Sequence, residues 1–211
     1  MSLELAKQLS GNGWCKGDHP VEAHLWMASR NGDVDTVRHL IDTLQYTSIE
    51  IAGVLLNVLW GDIENDIVCT PLFIASFEGN DEVVQRLLSA GASVGERGSS
   101  GVSPLHIASF MGHENVVWYL IAGGANVSCR GDVGDTALHS AARSGQCKVV
   151  LFLIEHGADV NVHDSYGYTP LRYAFENEHI PVQHVLLANG ANITGVHKRN
   201  VMDFDLRVPF S

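Results

Sequence analysis

Thr136-Ala137-Leu138-His139, running on through Gly157-Ala158-Asp159-Val160-Asn161, is the stretch that decides the fold. Its opening triplet has counterparts in Thr70-Pro71-Leu72, Ser103-Pro104-Leu105 and Thr169-Pro170-Leu171, and each step along the series is 33 residues. Its Gly-Ala pair recurs in phase as Gly91-Ala92, Gly124-Ala125 and Gly190-Ala191. A strict period of that length marks an array in which each unit buries its apolar face against its neighbours.

Local chemistry divides each unit into two helices and a turn. The Thr or Ser at 70, 103, 136 and 169 is placed to cap an inner helix, with Pro next in three of the four, where its missing N–H costs nothing. Gly79, Gly112 and Gly145 then interrupt the chain at a point suited to positive φ. Apolar pairs at helical spacing follow and predict a core-facing outer helix: Val83/Val84 with Leu87/Leu88, Val116/Val117 with Leu120/Ile121, Val149/Val150 with Leu153/Ile154. Ser99-Ser100-Gly101, Asp132-Val133-Gly134 and Ser165-Tyr166-Gly167 carry turn residues between units.

These motifs resemble the ankyrin repeat, most fully over residues 136–161. The resemblance implies an all-α repeat solenoid, an ankyrin array of helix-turn-helix units linked by short β-hairpins. The expected organisation is one domain over 1–211, with four regular repeats at 66–194. An N-terminal repeat occupies 1–68, because Leu25, Ala28, Gly32, Val37, Leu40 and Ile41 match Leu72, Ala75, Gly79, Val84, Leu87 and Leu88. It carries an inserted segment at about 43–68. There Thr47 and Glu50 form a capping-box pattern, and Ile51, Val54, Leu55 and Val58 share a helical face, which predicts a short added helix. A strand suggested by Ile49 and Ile51 is the alternative. The fourth repeat departs from the pattern, with Phe175, Glu178 and Pro181 at positions that are small, Gly or non-Pro elsewhere. Residues 195–211 are accordingly read as a degenerate C-terminal cap or the start of a further repeat.

Composition narrows the function. The 211 residues are 45% hydrophobic and 18% charged, too apolar for a disordered chain. Thirteen Lys and Arg against 24 Asp and Glu give a net charge of −11, which repels nucleic-acid phosphates. The most apolar run, Ile49 to Trp60, is too short for a bilayer and contains Glu50 and Asn57. The four cysteines have neither zinc spacing nor the density of a disulfide scaffold, which favours a reducing compartment, the cytoplasm with the nucleus as alternative. Eleven histidines raise a metal hypothesis, but none is spaced as a zinc ligand set. His113-Glu114 lacks the second His of a zinc-protease helix, and neither a phosphate loop nor a nucleophile elbow occurs. The expectation is a non-catalytic protein without cofactor or metal. In His106 and His139 the resemblance implies structural hydrogen-bond partners.

The ankyrin resemblance also implies where partners bind: the concave face and the hairpin tips. At the end of the inner helices the aligned positions read Arg30, Phe77, Phe110, Arg143, Glu176 and then Asn31, Glu78, Met111, Ser144, Asn177. Phe77, Phe110 and Met111 at solvent-facing positions predict an apolar contact patch, with Arg143 beside it. Arg97, Arg130, His163 and Val196 form a column along the hairpin stems that suits acidic or phosphorylated groups, with local pairing to Asp132, Asp135 and Asp164 as the alternative. Tyr166 and Tyr168 extend the surface, while Trp118 and Leu151 suggest a weaker site on the outer helices. Asn161 resembles the acceptor of the ankyrin-modifying asparaginyl hydroxylase. The reading is a monomeric scaffold or adaptor for a protein partner carrying acidic or phosphorylated groups and apolar anchors, with no nucleic acid and no membrane. The alternative is a substrate-receptor fragment of a ubiquitin-ligase adaptor whose recruiting box lies outside this chain.

Overall fold

The computed structural model describes residues 21–45, 56–57, 60–62, 67–98 and 101–193. Its helices pair as α1 (Val21–Asn31) with α2 (Val34–Gln45), α3 (Pro71–Glu78) with α4 (Asp81–Ser89), α5 (Pro104–Met111) with α6 (Glu114–Ala122), α7 (Ala137–Ser144) with α8 (Cys147–Glu155), and α9 (Pro170–Glu176) with α10 (Ile180–Ala188). The chain clusters into two compact units, one reaching Ala108 and resuming over His113–Asn126, the other comprising Ser109–Gly112 and the chain from Val127.

The helix starts obey the capping logic. Thr70 Oγ1 accepts from Phe73 N at 3.1 Å and Thr169 Oγ1 from Arg172 N at 3.2 Å. At α7 Thr136 and His139 form a capping box, in which Thr136 N donates to His139 Nδ1 at 3.0 Å. Gly79, Gly112 and Gly145 adopt φ of 81°, 82° and 78°, the left-handed turn expected between the paired helices. The connections that follow α4, α6 and α8 are turns closed by backbone bonds such as Gly131 N to Asp135 O and Asp164 N to Tyr168 O, and no strand forms in these three among the described residues.

In the first unit α1 packs on α3, and α4 on both α2 and α6; in the second α7 packs on α9 and α8 on α10. One leucine per helix is fully buried: Leu25, Leu72 and Leu105 from inner helices of the first unit, Leu138 and Leu171 in the second, with Leu40, Leu87, Leu120, Leu153 and Leu186 from outer helices. Each such side chain contributes about 1.5–3 kcal/mol by leaving water. The valine pairs are buried as expected. Leu88, Ile121 and Ile154, read as core, are only half-buried. Leu88 sits at the outer edge of its helix, where a Cβ added to Gly123 would lie 3.2 Å from its Cδ1.

The inserted segment closes with a hairpin, while the alternative strand at Ile49 and Ile51 lies outside the described residues. β1 (Trp60–Asp62) pairs antiparallel with β2 (Ile67–Cys69), in register Trp60↔Cys69 to Asp62↔Ile67. The β-branched pair Ile67-Val68 next to the helix cap Thr70 was the signal for it. Cys69 anchors β2 in a cluster with Trp26, Phe73 and Ile74, and Trp26 Nε1–H points at its sulfur, 3.4 Å away. Leu56 is helical and buried, and Asn57 Oδ1 accepts from Ser93 N at 2.7 Å. The added-helix face Ile51, Val54, Leu55 and Val58, and the segment 195–211, lie outside the described residues.

Candidate functional site

The inner helices α1, α3, α5 and α7 each end in a carbonyl that the next repeat caps. In the first unit Asn80 Nδ2 donates to Ser29 O and Arg30 O, and His113 Nε2 donates to Phe77 O at 2.9 Å. In the second, Gln146 Nε2 donates to Phe110 O at 3.2 Å and His179 Nε2 to Arg143 O at 3.0 Å. The capped backbone holds the side chains of Phe77, Phe110 and Arg143 outward. Phe77, Phe110 and Met111 are 36%, 40% and 39% exposed.

The second unit brings two of the expected site residues, Tyr166 and Tyr168, together with Tyr173 around one buried carboxylate. Asp164 Oδ1 accepts from Tyr166 N and Tyr168 N at 2.9 and 2.8 Å, and its Oδ2 accepts from Tyr173 Oη at 2.7 Å. Burial alone would raise the Asp164 pKa, but these three donors outweigh it and hold the carboxyl below its ordinary range. Tyr173 responds in the opposite sense, pushed up to about 12 by burial and by its bond to Asp164. Tyr168 O accepts from His139 Nε2 at 3.0 Å. His139 is therefore the tie between helix start and following turn that was expected, and burial lowers its pKa despite the carbonyl and Asp164 beside it.

Over this buried network lies an aromatic and cationic surface. The Arg143 guanidinium sits 5.0 Å from the Tyr173 ring centroid, and the Arg172 guanidinium 3.5 Å from that of Tyr168. Tyr166 is 68% exposed, with its ring edge-on to Tyr168 at 6.5 Å. Arg172 is tied to Glu176 at 3.0 Å. Arg143 is exposed and makes no ion pair with a described residue.

The two arginines of the stem column reach backbone carbonyls. Arg130 Nη1 donates to Gly134 O at 2.9 Å and to His163 O at 2.8 Å, bracing two successive turns. In the first unit Arg97 Nη1 lies 3.4 Å from Gly101 O. Both guanidinia thus serve turn carbonyls, a role that spacing alone did not distinguish from partner steering. Val196 lies outside the described residues. Asn161 likewise bridges two turns: its Nδ2 donates to Gly190 O at 3.0 Å and its Oδ1 accepts from Asn192 N at 2.7 Å. On the outer helices Trp118 is exposed in the first unit and Leu151 in the second.

Sequence reasoning missed Tyr173, Arg172 and the hub role of Asp164. The signal for Asp164 was present in Asp164-Ser165-Tyr166-Gly167, since Asp at the start of a turn bonds the backbone two residues on. The Asp164–Tyr173 contact spans nine residues and an intervening helix start, so no local pattern announced it.

Comparison with known proteins gives one family. The model for ankyrin repeats (3 copies) matches residues 25–131 and 123–196. No curated protein matches the chain.

Proposed function

The chain belongs to the ankyrin repeat family, and on that premise we propose that it is a non-catalytic scaffold or adaptor that docks a partner protein. What supports the reading is that the second unit exposes Phe110 and Met111 at the end of α5, Arg143 at the end of α7 over the Tyr173 ring, and Tyr166 beside Tyr168. Apolar anchors, aromatic rings and a guanidinium with no described carboxylate partner suit a segment that carries both an apolar residue and a carboxylate or phosphate. Within this reading Arg143 reads the anion, and Arg130 orders the turns that present Tyr166 and Tyr168. Phe77 and Arg97 are the equivalent positions of the first unit. No helix among the described residues is long and apolar enough to cross a membrane, and the proposed setting is the cytoplasm or nucleus.

Selection of binders from a displayed peptide library, followed by titration of the best peptide against variants, tests the proposal. Phe110→Ala is expected to cost about 1–3 kcal/mol of binding with the melting temperature nearly unchanged, as for a truncated hot spot outside the core. Arg143→Ala is expected to weaken binding and flatten its salt dependence. Wild-type affinity in both variants, with binding abolished by Trp118→Ala, would move the site to the outer helices.

A further inference from the structure

On the outer helices of the first unit one residue breaks the apolar pattern of the repeat. Position 86 on α4 corresponds to Tyr119, Phe152 and Val185 of the later repeats, whose rings and valine are half-buried on their own outer helices. Arg86 puts a guanidinium in that place. It lines a groove of about 290 Å³ between α2 and α4, together with Arg38, Ile41, Asp42, Gln85 and Ser89. A groove of this size lies at the lower limit of small-molecule pockets and suits a single small group.

The donors in this groove call for an oxyanion. Glu82, one turn back on α4, accepts from Arg86 Nη2 at 3.0 Å, and Asp35, one turn back on α2, lies 3.6 Å from Arg38 Nη1. Neither carboxylate lines the groove. Arg86 Nε is left buried without a hydrogen-bond partner among the described residues. A desolvated donor on a charged group is costly unless an acceptor meets it, and a second guanidinium in the same groove favours an acceptor that is negatively charged. Two arginines lining one groove are the more notable in a chain of net charge −11.

Asp42 narrows the chemistry further. It lines the same groove, is exposed, and makes no ion pair with a described residue. An oxyanion without a proton meets repulsion from this carboxylate. One that keeps a proton can donate it to Asp42 in a hydrogen bond while its other oxygens face the guanidinia. Near neutral pH inorganic phosphate keeps at least one proton and sulfate keeps none, so the carboxylate acts for the first and against the second.

We propose that the groove between α2 and α4 binds a protonated phosphate group, with Arg38 and Arg86 holding its charged oxygens and Asp42 accepting a hydrogen bond from its P–OH. The site lies on outer helices of the first unit, and it stands independently of partner docking at the inner-helix ends.

Amide NMR titration of the full chain with sodium phosphate and with sodium sulfate, at neutral pH and constant ionic strength, tests it. Phosphate is expected to shift the amides of residues 38–42 and 85–90 saturably, and sulfate to bind at least about tenfold more weakly. Asp42→Asn is expected to abolish that preference, because an amide can donate to sulfate. Arg86→Gln, and separately Arg38→Gln at an exposed position, are expected to weaken phosphate binding at least about tenfold. A further arm with O-phosphoserine separates the sources: competition for the same amides extends the site to phosphate monoesters, and its failure assigns the site to the free anion. No saturable shift, equal binding of phosphate and sulfate by the wild type, or phosphate binding that survives both arginine substitutions would overturn the proposal. Should Arg86→Gln unfold, Arg38→Gln decides.

Discussion

Asp164 concentrates several consequences in one side chain. It is buried, accepts three hydrogen bonds and has Tyr173 as the one side-chain donor among them. Removing that hydroxyl leaves Oδ2 buried and unpaired, so Tyr173→Phe is expected to cost about 1–3 kcal/mol in denaturant unfolding near neutral pH; a cost below about 0.5 kcal/mol would mean that water replaces the donor freely. The same cluster sets pH limits of known sign. His139 is held below its ordinary value, so the unfolded chain takes up a proton first, and stability falls as pH drops below about 6.5. Asp164 is also depressed, so its contribution is complete above the ordinary carboxylate range and fades below about pH 4. Tyr173 is raised to about 12, so its contribution is complete below the ordinary phenol value near 10 and is lost as pH climbs toward 12. A melting-temperature profile should therefore be flat between about pH 7 and 9.5 and decline on both sides, with the acid limb between about pH 6.5 and 5 shallower in His139→Asn. Asn161 poses a different question, because both ends of its amide bridge to the next turn. Coexpression with the asparaginyl hydroxylase and iron is expected to add one oxygen at Asn161, slowly, since the turn must open to admit an enzyme; an unmodified peptide at full coverage counts against it.

At the level of elements, the capping side chains explain why the turn between helices needs glycine for two separate reasons. Positive φ is one, and it alone costs an alanine about 1–2 kcal/mol. Occupation of the Cβ position by the next repeat's cap is the other. Gly157 has φ of 88° with open space around its would-be Cβ, whereas Gly145 has φ of 78° and the His179 ring 2.7 Å away. Gly145→Ala should thus be clearly more destabilising than Gly157→Ala, by about 1–2 kcal/mol, since it also displaces the cap on Arg143 O. Equal losses in the two variants would show that His179 moves aside without penalty. The repeat thus transmits a constraint across 34 positions, from Gly145 to His179, which no single helix would impose.

For the whole molecule the dominant long-range force is its own charge, −11 from 24 acidic and 13 basic residues. Self-repulsion of that size weakens the compact state, and salt screens it. Raising sodium chloride from about 10 mM to 0.5 M is expected to raise the melting temperature by about 2–5 °C, a shift worth roughly 1 kcal/mol; a fall would mean that ion pairs such as Arg86–Glu82 and Arg172–Glu176 outweigh the repulsion. The repeat period, the helix boundaries, the glycine turns and the buried leucines all follow from the order of residues, because each rests on a pattern that recurs every 33 residues and meets the same pattern in its neighbour. The outward placement of Phe77, Phe110 and Met111 was legible for the same reason. What lay beyond reading was every interaction joining residues of different type at unrelated spacings. The hairpin in the insertion pairs Trp60 with Cys69 and seats the sulfur against Trp26, 43 residues away. Arg130 of the stem column and Arg143 at an inner-helix end look alike in sequence, yet Arg130 braces carbonyls while Arg143 lies over Tyr173 with no described ion pair. Residue order determined a periodic stack because helix capping and apolar burial are local and additive; which guanidinium stays available, and which carboxylate is buried, was decided only by tertiary structure, since hydrogen bonding and desolvation depend on neighbours that the chain supplies from afar.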